Sequence, residues 1–181
     1  MDLNWKLNKT EHIVQDEWID FRKESFILPD GKEFSPFYNY SRRNFVVIIA
    51  RTIEGKYITV RQFRHGLKTV TTEFCAGGIE GSEKDSVLLA AKRELEEETG
   101  YVSNHWKHIY TIPSNPTIAD NYAYLYYADD CEKVSNQHLD STEFLEVKEY
   151  TEDEINDLIK NNEFVQPIHL MGWLMMKKGV L

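Results

Sequence analysis

Residues 45–50 read Phe-Val-Val-Ile-Ile-Ala, the longest clean apolar run in the chain. Successive side chains of a strand point to opposite faces, so a run without polar alternation must be covered on both sides. That puts residues 44–51 in the middle of a sheet rather than at its rim. The run is too short to span a bilayer. A turn at Glu54-Gly55-Lys56 leads into residues 57–64, where Ile58, Val60, Gln62 and Arg64 share one face and Tyr57, Thr59, Arg61 and Phe63 the other. Further strands are expected at 106–112, 121–128 and 143–150. Thr151 to Glu154 forms a capping-box signal opening a helix to about 160, and Pro167 opens a last helix to about 178. Irregularly mixed strands and helices indicate an α/β fold with a mixed sheet, not regular βαβ winding.

Ahead of this lies a small β unit, residues 1–42, with strand signals at 18–21 and 26–28 and a Pro29-Asp30-Gly31 turn. The remainder, 43–181, forms the main domain. A length of 181 residues suits one domain with a small appended unit. The net charge of −9 makes the chain a poor bulk binder of nucleic acid or of anionic membrane. A phosphate ligand would need local compensation by a metal ion or a few arginines. The two cysteines, Cys75 and Cys131, are far apart and read as buried thiols in a reducing cytoplasm, not as a disulfide framework. The polar N-terminus lacks the apolar core of a signal peptide. A soluble cytoplasmic protein is expected.

The segment 83–99 carries the chemistry. Ser82 to Asp85 reads as its capping box, and Gly100 as its left-handed stop. On a wheel of roughly 100° per residue, Val87, Leu88, Ala90, Ala91 and Leu95 cover one apolar arc. Glu94 and Glu98 fall inside that arc and Glu97 at its edge, while Glu96 and Lys92 face solvent. Like charges at these spacings repel, and burial raises their pKa. Lys92 and Arg93 point elsewhere on the wheel, so an internal ion pair is an incomplete answer. A divalent cation is the simplest compensation, and carboxylate ligands favour Mg²⁺, with Mn²⁺ possible, over zinc. Gly77-Gly78, just before, removes side chains so that backbone can approach a ligand. It matches neither a dinucleotide fingerprint nor a phosphate loop.

Arg93-Glu94-Leu95-Glu96-Glu97-Glu98-Thr99-Gly100-Tyr101, with Ala76-Gly77-Gly78-Ile79-Glu80 ahead of it, resembles the Nudix box. Gly77 and Arg93 are sixteen positions apart, two more than the pattern has, which implies an insertion. The first box acid is then Glu83 or Asp85, depending on the end from which one counts. Val60-Arg61-Gln62-Phe63-Arg64 followed by Glu73-Phe74-Cys75-Ala76-Gly77, and Pro116 fifteen positions after Tyr101, are similar to the ADP-ribose pyrophosphatase branch, with Cys75 where that branch usually has proline.

The resemblance implies a Nudix-type α/β/α sandwich with a mixed β-sheet and a small N-terminal β unit. It also implies metal-dependent hydrolysis of a nucleoside diphosphate sugar, most simply ADP-ribose to AMP and ribose 5-phosphate. Glu94, Glu97 and Glu98 match the catalytic and metal-binding carboxylates, and the Ala76 carbonyl a further metal ligand. Gly77, Arg93 and Gly100 match structural positions of the box. Arg64 and Glu73 match substrate contacts, against the alternative of surface charge on a strand. Trp18 is similar in context to a base-stacking aromatic, against the alternative of a core tryptophan. The branch usually forms homodimers through its N-terminal strands. Its catalytic base comes from the loop before the last strand, here Glu143, with Asp140 second, against solvent-facing loop acids; Glu146 would be fixed on a strand face. The rival substrate is GDP-mannose or another nucleoside diphosphate derivative. A non-catalytic sensor on the same fold would have lost box glutamates that are present here. Decapping of mRNA would call for a basic face.

Overall fold

The computed structural model describes residues 2–179 and divides into two compact units. One comprises the chain up to Asn44 together with Pro113–Tyr122, and the other Phe45–Ile112 with the chain from Ala123 onward.

The first unit is a three-stranded antiparallel sheet, β1 (Lys6–Gln15), β2 (Asp20–Ile27) and β3 (Glu33–Ser41), with β2 in the middle. The Pro29-Asp30-Gly31 turn forms as its residue types predict: Gly31 takes φ +85°, and the Asp30 carboxylate accepts from the Lys32 N–H at 3.1 Å. β1 was not foreseen. Nine of its ten residues are exposed, so no apolar period marks it. Trp5 packs edge-on against Phe26, Phe34 and Phe37, with centroids 5.9–6.0 Å away.

The second unit is built on an eight-stranded mixed sheet. In chain order it holds β4 (Phe45–Thr52), β5 (Tyr57–Arg64), β6 (Thr69–Glu73), β7 (Cys75–Gly78), helix α1 (Val87–Thr99), then β8 (Tyr101–Val102), β9 (His105–Pro113), β10 (Tyr122–Lys133), β11 (Leu145–Tyr150), α2 (Glu152–Lys160) and α3 (Pro167–Lys177). The strand path is β11-β5-β4-β10-β8, with β6 on β5, β7 on β4 and β9 on β10. β4 runs parallel to β10 and antiparallel to β5 and β7.

β4 is the doubly covered strand its sequence predicts. Val46, Ile48 and Ala50 pack with Ala90, Ala91 and Leu95 of α1. Val47 and Ile49 pack on the opposite side with Ile155, Phe164 and Trp173, from α2, the segment after it, and α3. Helices thus lie on both faces of the sheet, the α/β/α sandwich expected. The Thr151/Glu154 capping box forms, and Pro167 opens α3. Among the described residues no helix is long and apolar enough to cross a membrane.

Candidate active site

Helix α1 begins at Val87, four residues later than the Ser82 signal implies, and a 3₁₀ turn over Gly81–Glu83 precedes it. The reason is the destination of Glu83. Its carboxylate accepts from the Glu80 N–H at 2.9 Å and takes Arg93 in a two-pronged pair, Nε–Oε1 at 2.8 Å and Nη2–Oε2 at 3.0 Å. Those contacts hold residues 80–83 back from helical continuation, and they identify Glu83 as the acid that Arg93 grips. Arg93 holds the Glu83 carboxyl below the usual carboxylate range.

Arg93 does more than its wheel position implies. Its Nη1 reaches Glu94 and Glu97, each at 2.9 Å, and Nη2 donates to the Gly78 carbonyl at 3.0 Å. A wheel angle locates Cα, whereas a guanidinium on a long stem covers neighbouring positions. The expectation that Arg93 points away from the box acids is therefore corrected for Glu94 and Glu97. It stands for Glu98, which no cation pairs among the described residues.

Glu98 is 4% exposed and Glu94 8%. The Glu98 carboxylate accepts from the Ala76 N–H at 3.2 Å, across from β7. Burial pushes Glu98 up to about 8, with the Glu94 and Glu143 charges adding to it, against the pull of the Cys75 thiol and the Ala76 N–H. Burial pushes Glu94 up to about 7, opposed by Arg93 and reinforced by Glu97 and Glu143. The same surroundings hold the buried Cys75 thiol well above its ordinary value. Gly77 completes the cluster: a Cβ there would stand 2.0 Å from the Glu94 carboxyl carbon. Only glycine lets the strand lie against that carboxylate.

Glu94 and Glu98 are buried carboxyls that resist ionisation alone, a cost that a divalent cation beside them would relieve. Among the described residues no three acidic, histidine or cysteine side chains already converge as a finished cage. Arg93 holds Glu94 and Glu97 instead.

The remaining predicted residues fall in three places. Arg64 and Glu73 face each other across the β5–β6 ladder. Glu73 is fully buried; Arg64 Nε donates to its Oε2 at 3.0 Å and Nη2 contacts Oε1, while Gln62 Nε2 donates to Oε1 at 2.8 Å. Glu73 thus orients Arg64, whose guanidinium edge remains partly open. Trp18 belongs to the first unit. It is 63% exposed, with the Arg43 guanidinium 5.5 Å over its ring, so the core-tryptophan alternative fails. Glu143 and Asp140 lie exposed in the loop before β11: the Asp140 N–H donates to the Glu143 carboxylate at 3.0 Å, and the Glu143 N–H to the Asp140 carbonyl at 2.9 Å. β11 starts at Leu145, and Glu146 pairs with Arg61 at 3.3 Å.

Sequence reasoning missed how this loop is attached. Gly100 takes φ +75° as the left-handed cap, and its carbonyl accepts from the N–H groups of Val134 and Ser135 at 2.9 and 3.2 Å. The contacts are to main-chain carbonyls, for which a sequence carries no side-chain signal.

The Nudix domain pattern matches residues 41–169, and the chain belongs to the Nudix family. Its likenesses within that family are specific. The ADP-ribose pyrophosphatase of Bacillus subtilis (strain 168) is 34% identical over 173 residues, which cover 94% of this chain and 92% of that protein. The methanol dehydrogenase activator of Bacillus methanolicus is 34% identical over 156 residues, 86% of this chain and 83% of that protein. The crystal structure of an ADP compounds hydrolase superposes with a TM-score of 0.83 over 99% of this chain and 96% of that one; at 18% identity it shows the shared fold.

Proposed function

We propose that this Nudix pyrophosphohydrolase cleaves ADP-ribose to AMP and ribose 5-phosphate in a divalent-metal-dependent reaction, with Mg²⁺ or Mn²⁺ as the ion. The observation that carries the reading is the buried Glu94–Glu98 pair set against Ala76 and Gly77 and bordered by Arg93. The choice of ADP-ribose draws on the 34% identity to the Bacillus subtilis pyrophosphatase along nearly the whole chain.

Glu94, Glu97 and Glu98 with the Ala76 carbonyl would hold the metal. When bound, such an ion neutralises phosphate oxygens and acidifies water. Arg93 keeps the box acids in register through Glu83 and Gly78. Arg64, aimed by the buried Glu73, offers its open edge to a phosphate. Glu143 takes the proton from the attacking water. Water oxygen bonds to one phosphorus as the bridging P–O bond breaks, and the leaving phosphate carries the electron pair away.

Residues 1–42 act as the dimerisation unit of a homodimer. β1 is an outer strand carrying exposed Leu7, Ile13 and Val14, an edge open to pairing. Trp18 stacks on the base. Two free, buried cysteines suit a reducing cytoplasm.

A substrate panel tests the reading: ADP-ribose, GDP-mannose and other nucleoside diphosphate sugars, each with Mg²⁺, Mn²⁺ or chelator, scored for phosphate-monoester products. ADP-ribose turnover that chelator abolishes is expected. Metal-independent turnover, or preference for a non-adenine nucleotide, would overturn it.

A further inference from the structure

The loop of residues 134–144 is held hard at its roots and loosely at its tip. A helix leaves its last carbonyls without intrahelical donors. In α1 the loop supplies them: His138 N–H donates to the Glu97 carbonyl at 2.8 Å and Gln137 Nε2 to the Glu98 carbonyl at 2.8 Å. Val134 and Ser135 hold the Gly100 carbonyl beside them. A second Gln137 contact runs to the Leu145 carbonyl at 3.5 Å, the first residue of β11. One amide has two N–H groups, so Gln137 can serve both carbonyls at once. It thereby bridges the helix that carries Glu94, Glu97 and Glu98 to the strand that begins just after Glu143. Between its two anchor points no such hold on the chain is found among the described residues. Phe144 is 84% exposed, and the Glu143 carboxylate is occupied only by the Asp140 N–H three residues away.

We propose that Gln137 is a positioning residue of the reaction: by tying the Glu98 carbonyl to the start of β11 it fixes the two ends of residues 139–144 and so sets where Glu143 can reach. The inference rests on the proposed role of Glu143 as base. Gln137 spends its amide on the Glu98 and Leu145 carbonyls and lies outside the set proposed to hold metal and substrate. Its loss leaves the carboxylate donors and Arg64 in place and lets the base drift. A misplacement of about 1 Å can cost on the order of 10²-fold in rate.

The test uses the full chain with saturating Mg²⁺ and ADP-ribose. Gln137→Met keeps the volume and removes both donors. Its kcat should fall about tenfold to about 10²-fold, while KM, Mn²⁺ affinity by spectroscopic titration and Tm stay near wild type. Gln137→Asn, which keeps the amide but draws it back by one methylene, should lose less. In a Glu143→Gln background, Gln137→Met should add nothing further to the kcat loss, since the two changes act through one group. A wild-type kcat in Gln137→Met, a loss that multiplies with that of Glu143→Gln, or a matching loss of Mn²⁺ affinity would overturn the positioning role. A wild-type kcat in Glu143→Gln alone would overturn the base assignment, and the positioning role with it.

Discussion

The Glu94 carboxylate lies directly on the backbone of Gly77, with no room between them for even a methyl group. The collision that Gly77→Ala creates is with the far end of a flexible side chain, so the fold survives and Glu94 is displaced. We predict a Tm within a few degrees of wild type, a weaker metal requirement curve and a kcat at least about tenfold lower, on the scale of a misplaced catalytic group. Steady-state kinetics across a Mg²⁺ titration checks this; wild-type metal dependence would show that Glu94 need not sit against the strand.

Burial that lifts Glu94 to about 7 and Glu98 to about 8 ties stability to pH. A carboxyl whose folded value is raised contributes stability that is fully present below its ordinary value and is lost as pH rises through the folded one. In chelator, Tm should fall as pH rises from the ordinary value of 4.5 toward about 8, and level off above it. Mg²⁺ should remove most of that fall, and Glu98→Gln should flatten it without metal. Thermal melts across that range decide the matter; a flat wild-type profile in chelator would contradict the burial account.

His169 works in the opposite direction. It is 3% exposed, its Nδ1 accepts from the Phe74 N–H at 3.2 Å, and burial with the nearby Arg64 charge lowers it to about 3. The stability of its neutral ring is present above its ordinary value near 6.5 and is lost as pH falls toward 3. His169→Gln can keep an acceptor for Phe74, so it should shift the acid-unfolding midpoint downward. An unchanged midpoint would mean that other groups set the acid limit.

The outer strand β1 predicts a concentration-dependent dimer. Ile13→Lys places a charge on its exposed apolar edge. Light scattering should give a dimer for wild type and a smaller mean mass for the variant. A wild-type monomer would remove the dimer from the account and leave the hydrolase intact.

What could be read in the sequence is what side-chain pattern encodes. The unbroken run at 45–50 announced a strand covered on both faces, and Glu94 and Glu98 announced themselves as acids among Ala90, Ala91 and Leu95. Gly100 and Thr151 marked a helix stop and a helix start. What could not be read follows from reach and from main-chain bonding. Arg93 gathers Glu83, Glu94 and Glu97 because a guanidinium extends beyond its own wheel position. The start of α1 shifts because Glu83 caps the 3₁₀ turn through the Glu80 N–H and pairs with Arg93. β1 is almost wholly exposed and its few apolar residues follow no strand period, so the pattern did not reveal it. The docking of residues 134–138 onto α1 runs largely through backbone groups, which every residue shares.

For the base, Glu143→Gln is predicted to lower kcat by about 10²–10⁴-fold at saturating Mg²⁺. Glu146→Gln, which removes exposed pairs with Arg61 and Lys148, should stay within about twofold. Equal effects in the two variants would place the base elsewhere, at Asp140 or in the box.

The most direct test of the central claim is ADP-ribose turnover by Glu98→Gln. The substitution removes the buried carboxylate proposed to hold the metal from a site where its charge is costly, and it preserves the side-chain volume. The account predicts a loss of turnover on the order of 10²-fold or more, the scale of several kcal/mol of charge stabilisation, in a protein at least as stable as wild type in chelator. Wild-type turnover by a folded Glu98→Gln protein would contradict it.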